Sequence, residues 1–337
     1  MAEVLEVTGD DALPSLRAAV ALDPDNPQWC MSLGQQAELA GDLELAERSL
    51  LAAARLSRQY QPKYLLAGYY FRRGNADLCI RWSNAALAIA PGDVTPVLNL
   101  LGQLLDPQTM VAEALRQPPV VARQFLIFLS GHNEIKAAGR LARRLAQTGT
   151  AEDLPVLLGY TDELLALGYA SDAVELWNLL SQRHLIPYEP LDGTAGRSLT
   201  DADFQHPPSG NGFDWHVEGA PGVTAVRFAG ALRATFSGDE ADDCVVAWEY
   251  LPLEPGREYQ LRQTVQAEDA PSAAGLRWHL FYPKNGPVWA PLEADLSHGF
   301  RAPAGVARLA LMYRRAPGST RLTGDIAVTG LRLDRMP

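Results

Sequence analysis

The hydrophobic periodicity of this 337-residue chain changes once along its length, and this change constrains the fold more than any other feature. From residue 9 to residue 184, apolar residues recur at spacings of three and four, which is typical of amphipathic helices. From residue 213 onward they alternate with a period of two, which is typical of β-strands. The sequence therefore predicts a multidomain α + β chain, helical first and all-β afterwards.

The helical part repeats at an interval of 33 to 34 residues. Gly34 and Gly68 are 34 residues apart, and Gly41 and Gly74 are 33 apart. Small residues inside paired helices let their backbones approach closely, and a glycine ends one helix before the chain reverses. Two helices per unit at this interval resemble the tetratricopeptide repeats, which implies an α-helical solenoid.

The units that flank these repeats follow the pattern less closely. Residues 12–27 resemble the second helix of a repeat, so the sequence begins in the middle of a unit. Residues 94–117 are predicted to form helices broken at Pro107. Residues 118–147 and 153–184 return to the hairpin pattern, which extends the predicted helical array to the end of this part.

A tetratricopeptide-like stack implies a concave groove. We expect this groove to dock a protein partner, although such an array can also serve only as a spacer between domains. Arg140, Arg143 and Arg144 form a candidate basic patch for an acidic partner. The alternative is that these three arginines lie on an ordinary solvated face of one helix.

The C-terminal part has the pattern of an antiparallel β-sandwich. After a Pro- and Gly-rich stretch over residues 185–212, short alternating segments are separated by Gly, Pro and Asp turns. We predict a helical domain over 1–187, a linker over 188–197 and a sandwich over 198–337. The clearest strand segments are 223–228, 231–236, 245–253, 257–267, 276–282, 306–313 and 325–333.

The order of motifs in the sandwich part points to a family. Residues 198–205 (SLTDADFQ) form an opening strand-like run, the turn 253–256 (LEPG) precedes Tyr259, and residues 324–333 (GDIAVTGLRL) form the closing strand. This order resembles carbohydrate-binding modules with a galactose-binding-like jelly-roll fold. The resemblance implies a jelly roll and a polysaccharide or oligosaccharide ligand, without specifying the sugar.

Such modules commonly hold a structural calcium ion through acidic residues of the opening run and the last strand. This sequence has Gln205 and Thr329-Gly330 near those positions, and calcium needs six to eight oxygen ligands. We therefore predict no metal and no other cofactor. The acidic run over residues 239–243 is interpreted as a solvated loop rather than a cation site.

A sugar site needs exposed aromatic rings for the C–H faces of pyranose rings and planar polar groups for their hydroxyls. Alternation along two strand segments leaves a polar face on each, although such a face can also be an ordinary solvated surface. Trp248 and Tyr250 lie opposite Glu249, which leaves their orientation open, and Trp289 lies in a Gly- and Pro-rich loop. The candidate carbohydrate-binding residues are Trp248, Tyr250, Arg262, Gln266, Arg277, His279, Phe281 and Trp289.

Charge and motif content exclude several function classes. The net charge is −11, so the chain lacks the basic surface that a nucleic-acid-binding protein needs. The six histidines are scattered, and no HExxH, GxSxG, P-loop or GxGxxG motif occurs. We therefore predict a protein without enzymatic activity that binds no nucleic acid. No apolar run approaches the ~18 residues of a membrane span.

The pairing of helical repeats with a carbohydrate-binding-like sandwich resembles accessory proteins of bacterial exopolysaccharide or O-antigen assembly. That resemblance implies a scaffold whose repeats dock a protein of the machinery and whose sandwich binds glycan. It also implies a periplasmic location, with a possible membrane anchor in a segment outside this chain; a cytoplasmic location is the alternative. A scaffold for protein–protein contacts alone, without sugar binding, is the competing hypothesis.

Overall fold

The computed structural model describes residues 12–228, 230–268, 275–285 and 288–336. The N-terminal part of these ranges folds into eleven α-helices. They are α1 Leu13–Leu22, α2 Pro27–Leu39, α3 Leu43–Leu56, α4 Tyr60–Arg72, α5 Ala76–Leu87, α6 Thr95–Leu104, α7 Pro107–Ala114, α8 Pro119–Gly131, α9 Ile135–Thr148, α10 Leu154–Ala166 and α11 Ala170–Gln182. The predicted break at Pro107 is confirmed, because this residue begins α7.

Ten strands follow within the described ranges, and they form two antiparallel sheets of five strands each. The strands are β1 His216–Val217, β2 Val223–Phe228, β3 Ala231–Ser237, β4 Asp243–Pro252, β5 Glu258–Glu268, β6 Leu276–Asn285, β7 Val288–Pro291, β8 Phe300–Arg301, β9 Val306–Arg314 and β10 Thr323–Arg335. The first sheet has the order β1-β4-β9-β6-β7, and the second has the order β2-β3-β10-β5-β8. The predicted fold class, helices followed by an antiparallel β-sandwich, is confirmed.

The chain divides into two compact units, Met1–Leu141 and Ala142–Pro337. The second unit contains α10 and α11 together with the whole sandwich. The domain limits that we predict from the sequence, with a linker over 188–197, stay a prediction.

In the first unit, the 33-to-34-residue interval corresponds to matching positions of successive helical hairpins. The Arg72 guanidinium donates two hydrogen bonds of 2.7 Å to the carboxylate of Glu38, which lies 34 residues earlier. Gly34 of α2 lies against α3, where an added Cβ would come within 2.7 Å of Leu50 Cγ. Gly41 and Gly74 end their helices with φ of +82° and +69°, values that glycine adopts without strain.

In the second unit, the segment after α11 is packed and hydrogen-bonded. The Trp177 ring stacks on Tyr188 at 5.7 Å, and the Asn178 side chain makes two 2.7 Å hydrogen bonds with the backbone of Leu191. The backbone N–H of Gly212 donates to Asp162 at 2.6 Å. These contacts attach the helical hairpin of α10 and α11 to the segment that leads into the sandwich.

The seven strand segments predicted from alternation correspond to β2, β3, β4, β5, β6, β9 and β10. Alternate side chains of both sheets meet in one core. The short strands β1, β7 and β8 were not predicted, because two to four residues give too little alternation to recognise.

The predicted opening strand Ser198–Gln205 is wrong, since this run forms turns rather than a ladder. Asp201 and Phe204 adopt left-handed backbone conformations with φ of +48° and +53°. The Asp201 carboxylate accepts hydrogen bonds from the backbone N–H groups of Gln205 and His206, so the side chain holds the turn closed.

Candidate functional site

The orientation of Trp248 and Tyr250, left open by the sequence, is settled by a β-bulge in β4. The register with β9 shifts between Val245 and Ala247, and from there Ala247 and Glu249 face the core. Trp248 and Tyr250 therefore lie on the outer face of the first sheet. Tyr250 is 7% exposed and Trp248 is half-buried, because neighbouring side chains on that face cover them.

Register brings aromatic residues of four strands and one arginine of a fifth strand together on this outer face. His216 pairs with Trp248, while Tyr250 and Phe281 both pair with Arg308. The short strand β7 adds Trp289, which we predict to lie in a loop and which instead belongs to the sheet. We call this group the aromatic face; its members are His216, Trp248, Tyr250, Phe281, Trp289 and Arg308.

The planar groups of the aromatic face stand side by side. The rings of His216 and Trp248 stack with centroids 3.7 Å apart and an interplanar angle of 2°. The Arg308 Cζ lies 4.0 Å from the centroid of Trp248 and 4.7 Å from that of Trp289. Because β1 and β9 flank β4 on opposite sides, His216 and Arg308 occupy the two faces of the Trp248 ring.

Two rings of the aromatic face are partly exposed. Trp289 is half-buried, and among the described residues Arg308 is the only planar group stacked on it. Phe281 is also half-buried, and its nearest ring is His279, tilted at 6.3 Å. Trp289 and Phe281 therefore keep a partly exposed ring face, whereas His216 and Arg308 cover the two faces of Trp248.

Hydrogen bonds fix the polar groups of the aromatic face. The Trp248 Nε1–H donates to Glu218 at 2.5 Å, and the Arg308 guanidinium donates to the Tyr250 hydroxyl at 3.2 Å. Burial lowers the pKa of His216, so the ring is neutral at pH 7. His216 Nε2 and Arg308 Nε are buried and have no hydrogen-bond partner within the described ranges.

The polar residues predicted on β6 continue the same face. Arg277 and His279 point outward beside Phe281, whereas Trp278 and Leu280 point into the core. Burial, followed by nearby Arg314, lowers the pKa of His279. Six of the eight predicted carbohydrate-binding residues thus share one outer sheet face.

The other two predicted residues, Arg262 and Gln266, lie on β5 in the second sheet and are not part of the aromatic face. Arg262 pairs with Asp334 at 3.1 Å. It also lines a cleft of about 910 Å³ at the edge between β5 and β6, together with Arg277 and His279. The cleft is therefore a second, more polar surface that adjoins β6.

A buried polar cluster lies beneath β1 and β4. The fully buried Arg227 guanidinium pairs with Asp214 at 2.8 Å and with Asp201 at 3.2 Å. Glu249 is also fully buried and accepts one hydrogen bond, from the backbone N–H of Thr200 at 3.2 Å. Burial raises the pKa of Glu249 well above its ordinary value and so favours the protonated carboxyl.

The acidic run over residues 239–243 is only partly the solvated loop that we predict. Glu240 is fully buried and accepts a 2.8 Å hydrogen bond from the backbone N–H of Leu322. Asp243 pairs with Arg314 at the end of β9, and Asp242 pairs with Arg315 in the loop after it. Within the described ranges, no group of three or more His, Cys, Asp or Glu residues could hold a metal ion.

The arginines of α9 differ in their surroundings. Arg143 pairs with Asp172 at 3.5 Å and with Glu175 at 3.1 Å, so α11 already neutralises its charge. Arg140 and Arg144 are exposed. In the first unit, a cleft of about 550 Å³ is lined by residues of α6, α7 and α8.

Sequence reasoning missed three residues of this site: His216, Glu218 and Arg308. Arg308 interrupts an apolar alternating strand, which marks it as outward-facing. Its contacts with Tyr250 and Phe281 depend on a strand order that alternation alone does not give.

Comparison with known proteins identifies no relative of this chain. No protein-family model matches the chain, and a search of curated proteins finds no match. The helical array and the two-sheet sandwich are therefore described from the structure alone. Among the described residues, no helix combines the length and the apolar character needed to cross a membrane.

Proposed function

We propose that this protein is a non-enzymatic adaptor whose helical part, of tetratricopeptide type, docks a protein partner and whose sandwich, of carbohydrate-binding-module type, binds glycan. The setting we propose is bacterial polysaccharide biosynthesis or export, in the periplasm. The observation that carries the glycan proposal is the aromatic face, with two partly exposed rings next to planar polar groups.

The chemistry of this face suits a sugar chain. Trp289 and Phe281 provide apolar faces for pyranose C–H groups, and Arg308, His279 and Arg277 provide hydrogen-bonding groups for hydroxyls. Because the rings belong to paired strands and Arg308 is held between two of them, little side-chain entropy is lost when a ligand binds.

A scaffold that binds only proteins is the second candidate. Trp, Tyr and Arg are the residues that most often dominate protein–protein interfaces, and the aromatic face contains all three. The cleft of about 550 Å³ in the first unit supports the docking of a protein segment by the helical part under either hypothesis.

Isothermal titration calorimetry of the full chain against neutral and acidic polysaccharides tests the glycan proposal. We expect saturable binding to at least one polymer, and Trp289→Ala and Phe281→Ala should each weaken it at least tenfold. Tyr169→Ala is the matched control, because Tyr169 is an aromatic residue of the same unit, 45% exposed and outside the aromatic face. The control variant should bind as the original protein does.

Failure to bind any polymer would contradict the glycan proposal and leave the protein-only scaffold. Binding that survives both substitutions on the aromatic face would place the site elsewhere, with the cleft between β5 and β6 as the next surface to test by Arg277→Ala.

A further inference from the structure

Arg308, the arginine of the aromatic face, has no carboxylate partner among the described residues. Most arginines of the sandwich that the structure describes are either exposed or paired with a carboxylate. Arg308 is neither: it is half-buried, and no carboxylate of the described residues lies within salt-bridge distance. Removing a guanidinium from water without an anionic partner is costly, and the surrounding rings compensate only part of that cost.

Two carboxylates on or beside the outer face of the first sheet are engaged with other groups. Glu218 accepts the hydrogen bond of the Trp248 Nε1–H, and Asp243, on the same outer face, pairs with Arg314 at 2.7 Å. Arg277 is exposed and likewise has no carboxylate partner among the described residues. The outer face of the first sheet therefore carries two arginines, Arg277 and Arg308, that have no carboxylate partner among the described residues, on a chain whose net charge is −11.

The guanidinium of Arg308 is oriented before any ligand arrives. The Arg308 Cζ lies 4.0 Å from the ring centroid of Trp248 and 4.7 Å from that of Trp289. The Tyr250 hydroxyl accepts a hydrogen bond from the Arg308 guanidinium at 3.2 Å. Five N–H donors on a fixed plane match a carboxylate in a bidentate geometry. Because Nε is buried, the Nη donors that Tyr250 leaves free are the ones that an anion at this face would use.

We propose that the glycan bound by the aromatic face is acidic, and that Arg308 binds the carboxylate of a uronic acid residue. Trp289 and Phe281 stack on neighbouring sugar rings, and Arg277 adds a second positive charge along the chain. This inference rests on the proposed function. The net negative charge of the protein disfavours unspecific binding of polyanions, so an acidic ligand has to be recognised locally.

The test compares polymers that differ only in their carboxylates. Polymannuronate, polyguluronate and polygalacturonate are each titrated into the full chain beside their carboxyl-reduced forms. We expect at least one acidic polymer to bind tenfold or more tightly than its reduced form, with the preference weakening as salt is raised. Arg308→Gln should remove the preference, and Arg308→Lys should keep only part of it.

Arg233→Gln is the matched control, because Arg233 is an exposed arginine on the outer face of the second sheet. It makes the same change of charge and should leave the preference intact. Equal binding of the acidic and reduced forms would overturn the acidic ligand while leaving the proposed function in place. Binding to neither form of all three polymers would overturn the acidic ligand, and the proposed function would fall with it if no other neutral or acidic polysaccharide binds. A preference that survives Arg308→Gln would remove Arg308 from the site.

Discussion

Glu249 should make the stability of the sandwich fall as pH rises, because its carboxyl is buried and has no ion-pair partner among the described residues. The carboxyl is fully buried, its Oε1 has no partner among the described residues, and the single hydrogen bond from Thr200 stabilises only its other oxygen. The pKa of Glu249 is raised well above 4.5 in the folded protein, chiefly by desolvation. Between pH 4.5 and the raised pKa, the unfolded chain has released a proton that the folded protein retains.

The contribution of Glu249 to the free energy of unfolding therefore decreases with pH, by up to about 1.4 kcal/mol for each unit. The decrease begins near the pKa of the unfolded chain and ends at the raised pKa of the folded protein. Glu249→Gln keeps the shape and the acceptor for Thr200 but does not ionise. We expect it to be more stable than the original protein, with a gap that widens by up to roughly 2.5 kcal/mol from pH 5 to pH 7.

Urea denaturation followed by tryptophan fluorescence at pH 5, 6 and 7 measures this gap. Glu258→Gln is the control, since Glu258 is exposed on β5 and the same substitution there should leave the pH dependence unchanged. A constant difference between Glu249→Gln and the original protein across these pH values would refute the reasoning, because it would mean that Glu249 ionises alike in both states.

Two further predictions test other parts of the structure. Arg227→Met should destabilise the sandwich by about 3–5 kcal/mol in the same denaturation assay, because it leaves buried Asp214 without its partner; a loss below 1 kcal/mol would contradict the buried pair. Gly34→Ala should lower the free energy of unfolding by about 1–3 kcal/mol, since the new Cβ overlaps Leu50. Gly159→Ala, on an open helix face, should raise the free energy of unfolding by about 0.5–1 kcal/mol. Equal effects of the two glycine substitutions in thermal denaturation would contradict the close packing of α2 on α3.

The helices and long strands were predictable because each has its own periodicity. The equivalence of Gly41 and Gly74 marked the hairpins, and alternation along β5 and β6 gave the correct faces. The segment Ser198–Gln205 was predicted incorrectly, because an Asp that closes a turn gives the same local pattern as an alternating strand. Short strands such as β7 are defined by their hydrogen bonds to a neighbouring strand, and the local sequence does not indicate this pairing.

The site was predictable residue by residue but not as a group. Alternation identified Arg277, His279 and Phe281 as outward-facing, yet Trp248 depended on a bulge that shifts the register within β4. Arg308 joins the group only through the strand order, which places β9 between β4 and β6. Arg262 has the same local pattern as Arg277 but belongs to the other sheet, so local pattern alone could not separate them.

The indole N–H resonances of the tryptophans give the most direct test of glycan binding at the aromatic face. The full chain is labelled with ¹⁵N, each indole is assigned by Trp→Phe substitution, and the polymer that binds most tightly in calorimetry is added. We predict shifts at Trp289 and Trp248, with Trp177 unchanged because it is buried within the helical hairpin of α10 and α11. Resonances of Trp289 and Trp248 that stay unmoved at saturating polymer would contradict the account.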